Sequence, residues 1–213
     1  MSYLAIHNKH TSTSTNIFQN NNNNKTEAMK TTIHHGPYTT IPTHTSPGLH
    51  FLKTFLPALD SLDAESHPIA PFLHPDADLS VNSNPPNKGS QVVPLLEVRR
   101  KHLAAFGHEV EVAWDIALEP EDDDEGQGQG RDRRDKRTVM FEATSSMVFR
   151  DDPDQFAVKV KEFNILDIEK QDAGSGSEFQ VVQMRTYLDA RPVQDRAARL
   201  QMGSAYGESK TTG

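Results

Sequence analysis

Residues 95–118 read LLEVRRKHLAAFGHEVEVAWDIAL, and within this run the apolar spacing changes period. Val92, Leu95, Leu96, Val98, Leu103 and Phe106 recur at near-helical intervals. Ser90 is placed to cap that helix, Pro94 falls in its tolerant first turn, Arg99 to His102 put positive charge near its end, and Gly107 supplies the stop. Beyond Gly107, Val110, Val112, Trp114, Ile116 and Leu118 alternate with Glu109, Glu111, Ala113, Asp115 and Ala117, which predicts a strand burying its valine and tryptophan side. A helix that feeds directly into a long, half-buried strand points to an α+β domain.

Working outward, Ser46-Pro47 marks a second helix start, followed by the stripe Phe51, Leu52, Phe55, Leu56, Leu59 and Leu62. Pro57 lies inside that stripe and predicts a kink or a split. A short helical piece is expected from Ile69 to Leu73, and a strand from Asp78 to Asn82. Downstream, Thr138 to Phe149 reads as a second long strand. In the third, the apolar phase moves from Phe156, Val158 and Val160 to Phe163 and Ile165, which predicts a bulge near Glu162. Phe179 to Asp189 is the last strand, and Pro192 precedes a short helical tail, Val193 to Leu200.

The chain has 213 residues, with 22 Lys plus Arg against 30 Asp plus Glu, a formal net charge of -8. Hydrophobic residues are 35% and the mean hydropathy is -0.66, low for a chain packed along its whole length. The polarity is concentrated. Residues 1–46, rich in Thr, Asn and Ser, are expected to be a disordered tail, 119–137 a disordered hairpin insertion with an acidic and then a basic half, and 201–213 a second tail. One domain over residues 47–200 remains. The absence of cysteine removes disulfide scaffolds and thiol nucleophiles. No apolar run is long enough to span a bilayer, and the acidic balance argues against a nucleic-acid partner. No signal peptide is evident, and the expected compartment is the cytoplasm.

The order of elements, helices, a short strand, another helix and then a four-strand meander, resembles the SnoaL-like branch of the nuclear transport factor 2-like superfamily. Phe72-Leu73-His74-Pro75-Asp76-Ala77, the passage from Leu95 through Gly107 to Ile116, and Tyr187-Leu188-Asp189 carry the resemblance. It implies a cone of curved antiparallel sheet holding helices, with an apolar pocket that takes a small hydrophobic molecule. It also implies isomerase, dehydratase or cyclase chemistry without cofactor or metal. Relatives pair through the outer sheet face, which implies a homodimer here through Met140, Val148, Val182 and Met184. A non-catalytic ligand-binding or dimerisation module of the same fold is the alternative.

The resemblance places an acid/base aspartate at Asp189. Tyr187, two residues earlier, shares its strand face and would steady an oxyanion; Asp189 could instead cap the tail helix. Arg185 has the same parity, as a ligand anchor or the partner of a neighbouring acid such as Glu162 or Glu142. Glu162 and Asn164 lie at the expected bulge, as pocket groups or edge residues. Asn82 lines the mouth or makes a turn, Trp114 is pocket wall or core, and His102 ends its helix. No histidine follows His108, so the later strands cannot supply the pocket histidines of dehydratase and cyclase relatives.

Overall fold

The computed structural model describes residues 11–19, 26–119, 136–171 and 177–207. Its order is β1 (Thr11–Gln19), β2 (Thr26–His35), α1 (Pro47–Asp60), β3 (Leu73–Val81), β4 (Asn87–Lys88), α2 (Val92–His102), β5 (Leu103–Glu119), β6 (Lys136–Phe149), β7 (Ala157–Lys170), β8 (Phe179–Leu188) and α3 (Arg191–Gly207). A single sheet runs β1-β2-β5-β6-β7-β8-β3-β4, antiparallel except where β3 meets β8. The fold is the α+β cone implied by the resemblance.

The helix held in the sheet is α1. Leu49, Leu52, Phe55 and Leu56 are fully buried against Val110, Ala113, Val139, Phe141, Leu166 and Ile168. Each such side chain contributes roughly 2 kcal/mol of apolar burial. α2, the helix predicted before Gly107, is not enclosed in this way: it leaves Val93, Leu95 and Val98 exposed, and α1 has the broader apolar stripe. Pro57 does not split α1, which continues to Asp60. Ser46 occupies the N-cap position without a side-chain cap bond; the Asp115 carboxylate of β5 accepts from the Gly48 N–H instead, at 2.9 Å.

Three sequence expectations are corrected. Part of the predicted tail is sheet: β2 pairs with β5, and β1 with β2, through a Thr-rich stretch whose strand propensity outweighs its polarity. The bulge is displaced. β7 pairs with β6 without interruption from Ala157 to Glu169, whereas β5 shifts register between Val110 and Val112. That shift moves Ala113 and Asp115 to the buried side and Trp114 and Ile116 to the outer face, reversing the predicted parity of this strand. Finally, α3 runs on to Gly207, past the expected start of the second tail. Residues 120–135 of the acidic and basic insertion lie outside the described residues; its last residue, Arg137, belongs to β6 and binds Asp115.

Candidate functional site

The inward rows of the long strands are mostly apolar, and several of their polar positions lie close together. On β7 the buried row is Val158, Val160, Glu162, Asn164, Leu166 and Ile168, so two polar residues interrupt an otherwise aliphatic face. On β6, Ser145 breaks the row of Val139, Phe141 and Ala143. Register brings these breaks together, since His108 of β5 opposes Ser145, Ser145 opposes Val160, and Asn164 opposes Thr186 of β8.

His108 is the centre of the cluster. Its side chain is 6% exposed and lies between two carboxylates. Nδ1 meets Asp60 Oδ1 from the last residue of α1, and Nε2 meets Glu162 Oε1 at 2.9 Å. The His108 backbone N–H also donates to Asp60 Oδ2 at 3.0 Å. An ionised carboxylate only accepts, so both ring nitrogens carry protons and the ring is an imidazolium. Burial lowers the His108 pKa, but the hydrogen bonds to Asp60 and Glu162 and then their charges outweigh it and raise the value to about 9. Burial alone would raise Glu162, yet the His108 hydrogen bond and charge, joined by Asn164 and Ser145, hold it below the ordinary range. Phe106 and Phe141 stand edge-on to the ring and form a low-dielectric wall.

The surroundings fix this arrangement. Asn164 Nδ2 donates to Glu162 Oε1 at 2.8 Å, and the Thr186 hydroxyl donates to Asn164 Oδ1 at 2.7 Å. Arg99 of α2 stacks over Phe106 with its guanidinium carbon 4.3 Å from the ring centre, and it donates to the Leu59 and Ser61 carbonyls on either side of Asp60. Tyr38, from the predicted tail, packs against the core; burial, followed by the charge of Asp60, raises its phenol.

Of the residues singled out from sequence, the cluster contains Glu162 and Asn164. Asp189 is exposed; it accepts from the Arg191 backbone N–H at 3.0 Å and pairs with the Arg191 guanidinium, which lowers its carboxyl to about 2. That is its capping role, not a cavity role. Tyr187 is 46% exposed on the outer face. It lines an open depression of about 320 Å³ with Phe163, Glu111, Glu142 and Lys161, which also reaches Glu162. Arg185 pairs with Asp167 at 3.1 Å, neither with Glu162 nor with Glu142. Asn82, at φ 53°, clips Leu188 through both side-chain atoms, the turn alternative. Trp114 packs edge-on to Phe163 outside the cone, and His102 is exposed at the end of α2.

Asp60, His108, Ser145 and Thr186 were missed. A helix stop at Gly107 leaves His108 ahead of the alternating run; in the structure β5 starts at Leu103 and His108 shares the inward face with Val110. The legible signal was polar residues at inward parity on several strands.

No protein-family model matches the sequence, and no curated protein matches it. Among solved structures, PrhC from Penicillium brasilianum aligns at 13% identity and a TM-score of 0.49, covering 74% of this chain and 90% of that one. The hexachlorocyclohexane dehydrochlorinase LinA-type3 from Novosphingobium barchaimii aligns at 13% identity and 0.42, covering 65% and 82%. A ketosteroid isomerase-like protein from Erwinia carotovora atroseptica aligns at 11% and 0.43, covering 65% and 90%.

Proposed function

We propose that the Asp60–His108–Glu162 cluster moves protons on a small hydrophobic molecule, in an isomerisation or an elimination. The observation that supports this most is an imidazolium held between two carboxylates in an apolar enclosure. Both His108 and Asn164 bond Oε1 of Glu162, and this carboxylate, which Ser145 also bonds, serves as the base. It takes a proton from carbon next to a carbonyl. Glu162 then returns that proton to another carbon in an isomerisation, or to a departing hydroxyl in an elimination, while His108, both of whose N–H groups are held by carboxylates, stays charged and balances the negative charge that develops. Asp60 holds the ring orientation and balances its charge throughout. Asp189 has no part in this.

A panel of hydrophobic ketones in D2O tests the reading without knowledge of the natural substrate. The protein should accelerate deuterium entry at the carbon beside the carbonyl of at least one member, and His108→Gln and Glu162→Gln should each slow it by roughly 10²- to 10⁴-fold. Equal exchange by wild type and variants overturns the reading.

One observation favours a second reading. Both ring nitrogens are already spent on carboxylates, as in a charged clamp that ties the end of α1 to β5 and β7. On that reading the cone is a ligand-binding module, and no ketone exchanges. For the homodimer, Trp114, Met140, Phe163 and Ile165 are only partly buried on the outer sheet face and offer an apolar patch to a second copy. Met184, first expected there, instead packs against the core. A monomeric mass by light scattering at high concentration would refute the dimer.

A further inference from the structure

A further cavity lies away from the acid/base cluster. β8 pairs with β7 only from Glu162↔Leu188 onward, so the edge of β7 over residues 157–161 has no strand partner on that side among the described residues. There α3 crosses, and a cavity of about 570 Å³ separates the two. Pro192, Asp195, Arg196 and Arg199, spaced as one helical face, look onto Phe156 and Val158. The volume is in the range of small-molecule sites.

The gap is held by a rigid contact. Arg196 binds Asp152 through Nε at 2.8 Å and through Nη2, reaches Asp154 at 3.1 Å, and lies 5.4 Å from the Phe156 ring centre. Asp152, 1% exposed, is anchored in turn by the N–H groups of Asp154 and Phe156. Beside this contact the apolar part of the lining is Phe156, Ala157, Val158 and Pro192, and Phe156 is 57% exposed. The polar inventory is asymmetric. Arg196 has spent its fork, whereas Lys159 and Arg199 pair with no carboxylate among the described residues. Asp195 is the one acid in the lining, and its charge also acts on Arg191, four residues before it. The unpartnered β7 edge adds backbone N–H donors.

We propose that this cavity binds a small amphipathic anion, an apolar chain or ring bearing one carboxylate. The apolar body lies on Phe156, Val158 and Pro192, and the head takes the unspent donors of Lys159 and Arg199. The inference does not rest on the acid/base reading, since none of these residues belongs to that cluster.

Decanoate and its neutral counterpart decanol are the probes, with binding read by calorimetry and by amide chemical shifts on the full chain. Decanoate should shift the amides of Phe156, Val158 and Arg199 and bind at least about tenfold more tightly than decanol. The double variant Lys159→Gln/Arg199→Gln, at two exposed positions, should weaken decanoate by roughly five- to tenfold and leave decanol unchanged. Equal affinity for the two probes, shifts centred elsewhere, an unaffected double variant, or no binding at millimolar probe each overturns the proposal. Ketone exchange is a separate measurement, so failure there leaves this result standing.

Discussion

The Thr186 hydroxyl donates to Asn164 Oδ1 at 2.7 Å and thereby fixes which end of the Asn164 amide faces Glu162. With its oxygen taken, the amide presents its NH2 group to the carboxylate, so a neutral side chain stabilises Glu162 as an anion. The chain from Thr186 through Asn164 and Glu162 to His108 crosses β8, β7 and β5 and ends on α1 at Asp60.

Asn164→Asp reverses one link of that chain. It replaces a donor by a second carboxylate beside Glu162, in a site where Asn164 is 1% exposed. One of the two acids must then take up a proton or repel the other, and we expect a stability loss on the order of 2 kcal/mol at neutral pH. Thr186→Val, close in shape, removes only the donor to Asn164 and should cost about 1 kcal/mol. Urea unfolding measures both. If neither variant moves the midpoint, the buried chain does not exist as described.

The cluster also sets how stability varies with pH. The folded-state pKa of His108 lies at about 9, above its ordinary 6.5. The charged ring therefore stabilises the fold fully below about pH 6.5, and that contribution disappears as pH rises through 9. The amount lost is on the order of 3 kcal/mol. Glu162 has the opposite sign: its lowered pKa gives stability above the ordinary carboxylate range that is lost as pH falls through its folded value. Urea midpoints should form a plateau between about pH 4.5 and 6.5 with a decline on each side, and His108→Gln should flatten the alkaline decline. An alkaline slope unchanged in His108→Gln would show that another group titrates there.

Asp189→Asn provides a control on the site. The carboxylate is exposed and engaged with Arg191, so its removal should loosen the start of α3 and leave ketone exchange at the wild-type rate. A collapse of exchange in this variant would return Asp189 to the chemistry and displace the His108 cluster from it.

The parts of the fold that could be read from sequence were those in which one period holds without interruption. The α1 stripe from Phe51 to Leu56, the β6 alternation and the last strand to Leu188 all appear near their expected places. The errors came where polar residues occupy buried positions. Glu162 and Asn164 break the aliphatic row of β7, and a local hydropathy rule treats such a break as a change of phase; tertiary pairing instead keeps the phase and buries the polar pair with partners. On β5 the shift between Val110 and Val112 is invisible to alternation, because valine suits either face. His108 was hidden by the same kind of local reading. Asp60 could not be assigned at all, since nothing in the residues around it reveals that its partner lies 48 positions away.

Gly48→Ala should run against the usual helix rule. Alanine within a helix is normally favoured over glycine by roughly 0.5–1 kcal/mol. Gly48 is the second residue of α1, and its N–H is held by the buried Asp115 carboxylate, which Arg137 grips through Nε and Nη2 at 3.0 Å each. A Cβ there would meet Asp115 Cγ at 2.5 Å and Val139 Cγ2 at 2.8 Å, neither of which can withdraw without disturbing the ion pair or the core. Overpacking of this kind costs about 1–3 kcal/mol, and weakening the buried pair adds to it, so the net sign is destabilising. Thermal or urea unfolding of Gly48→Ala should show a clear loss. A neutral or stabilising result would mean that α1 does not approach β5 closely enough for Asp115 to cap it.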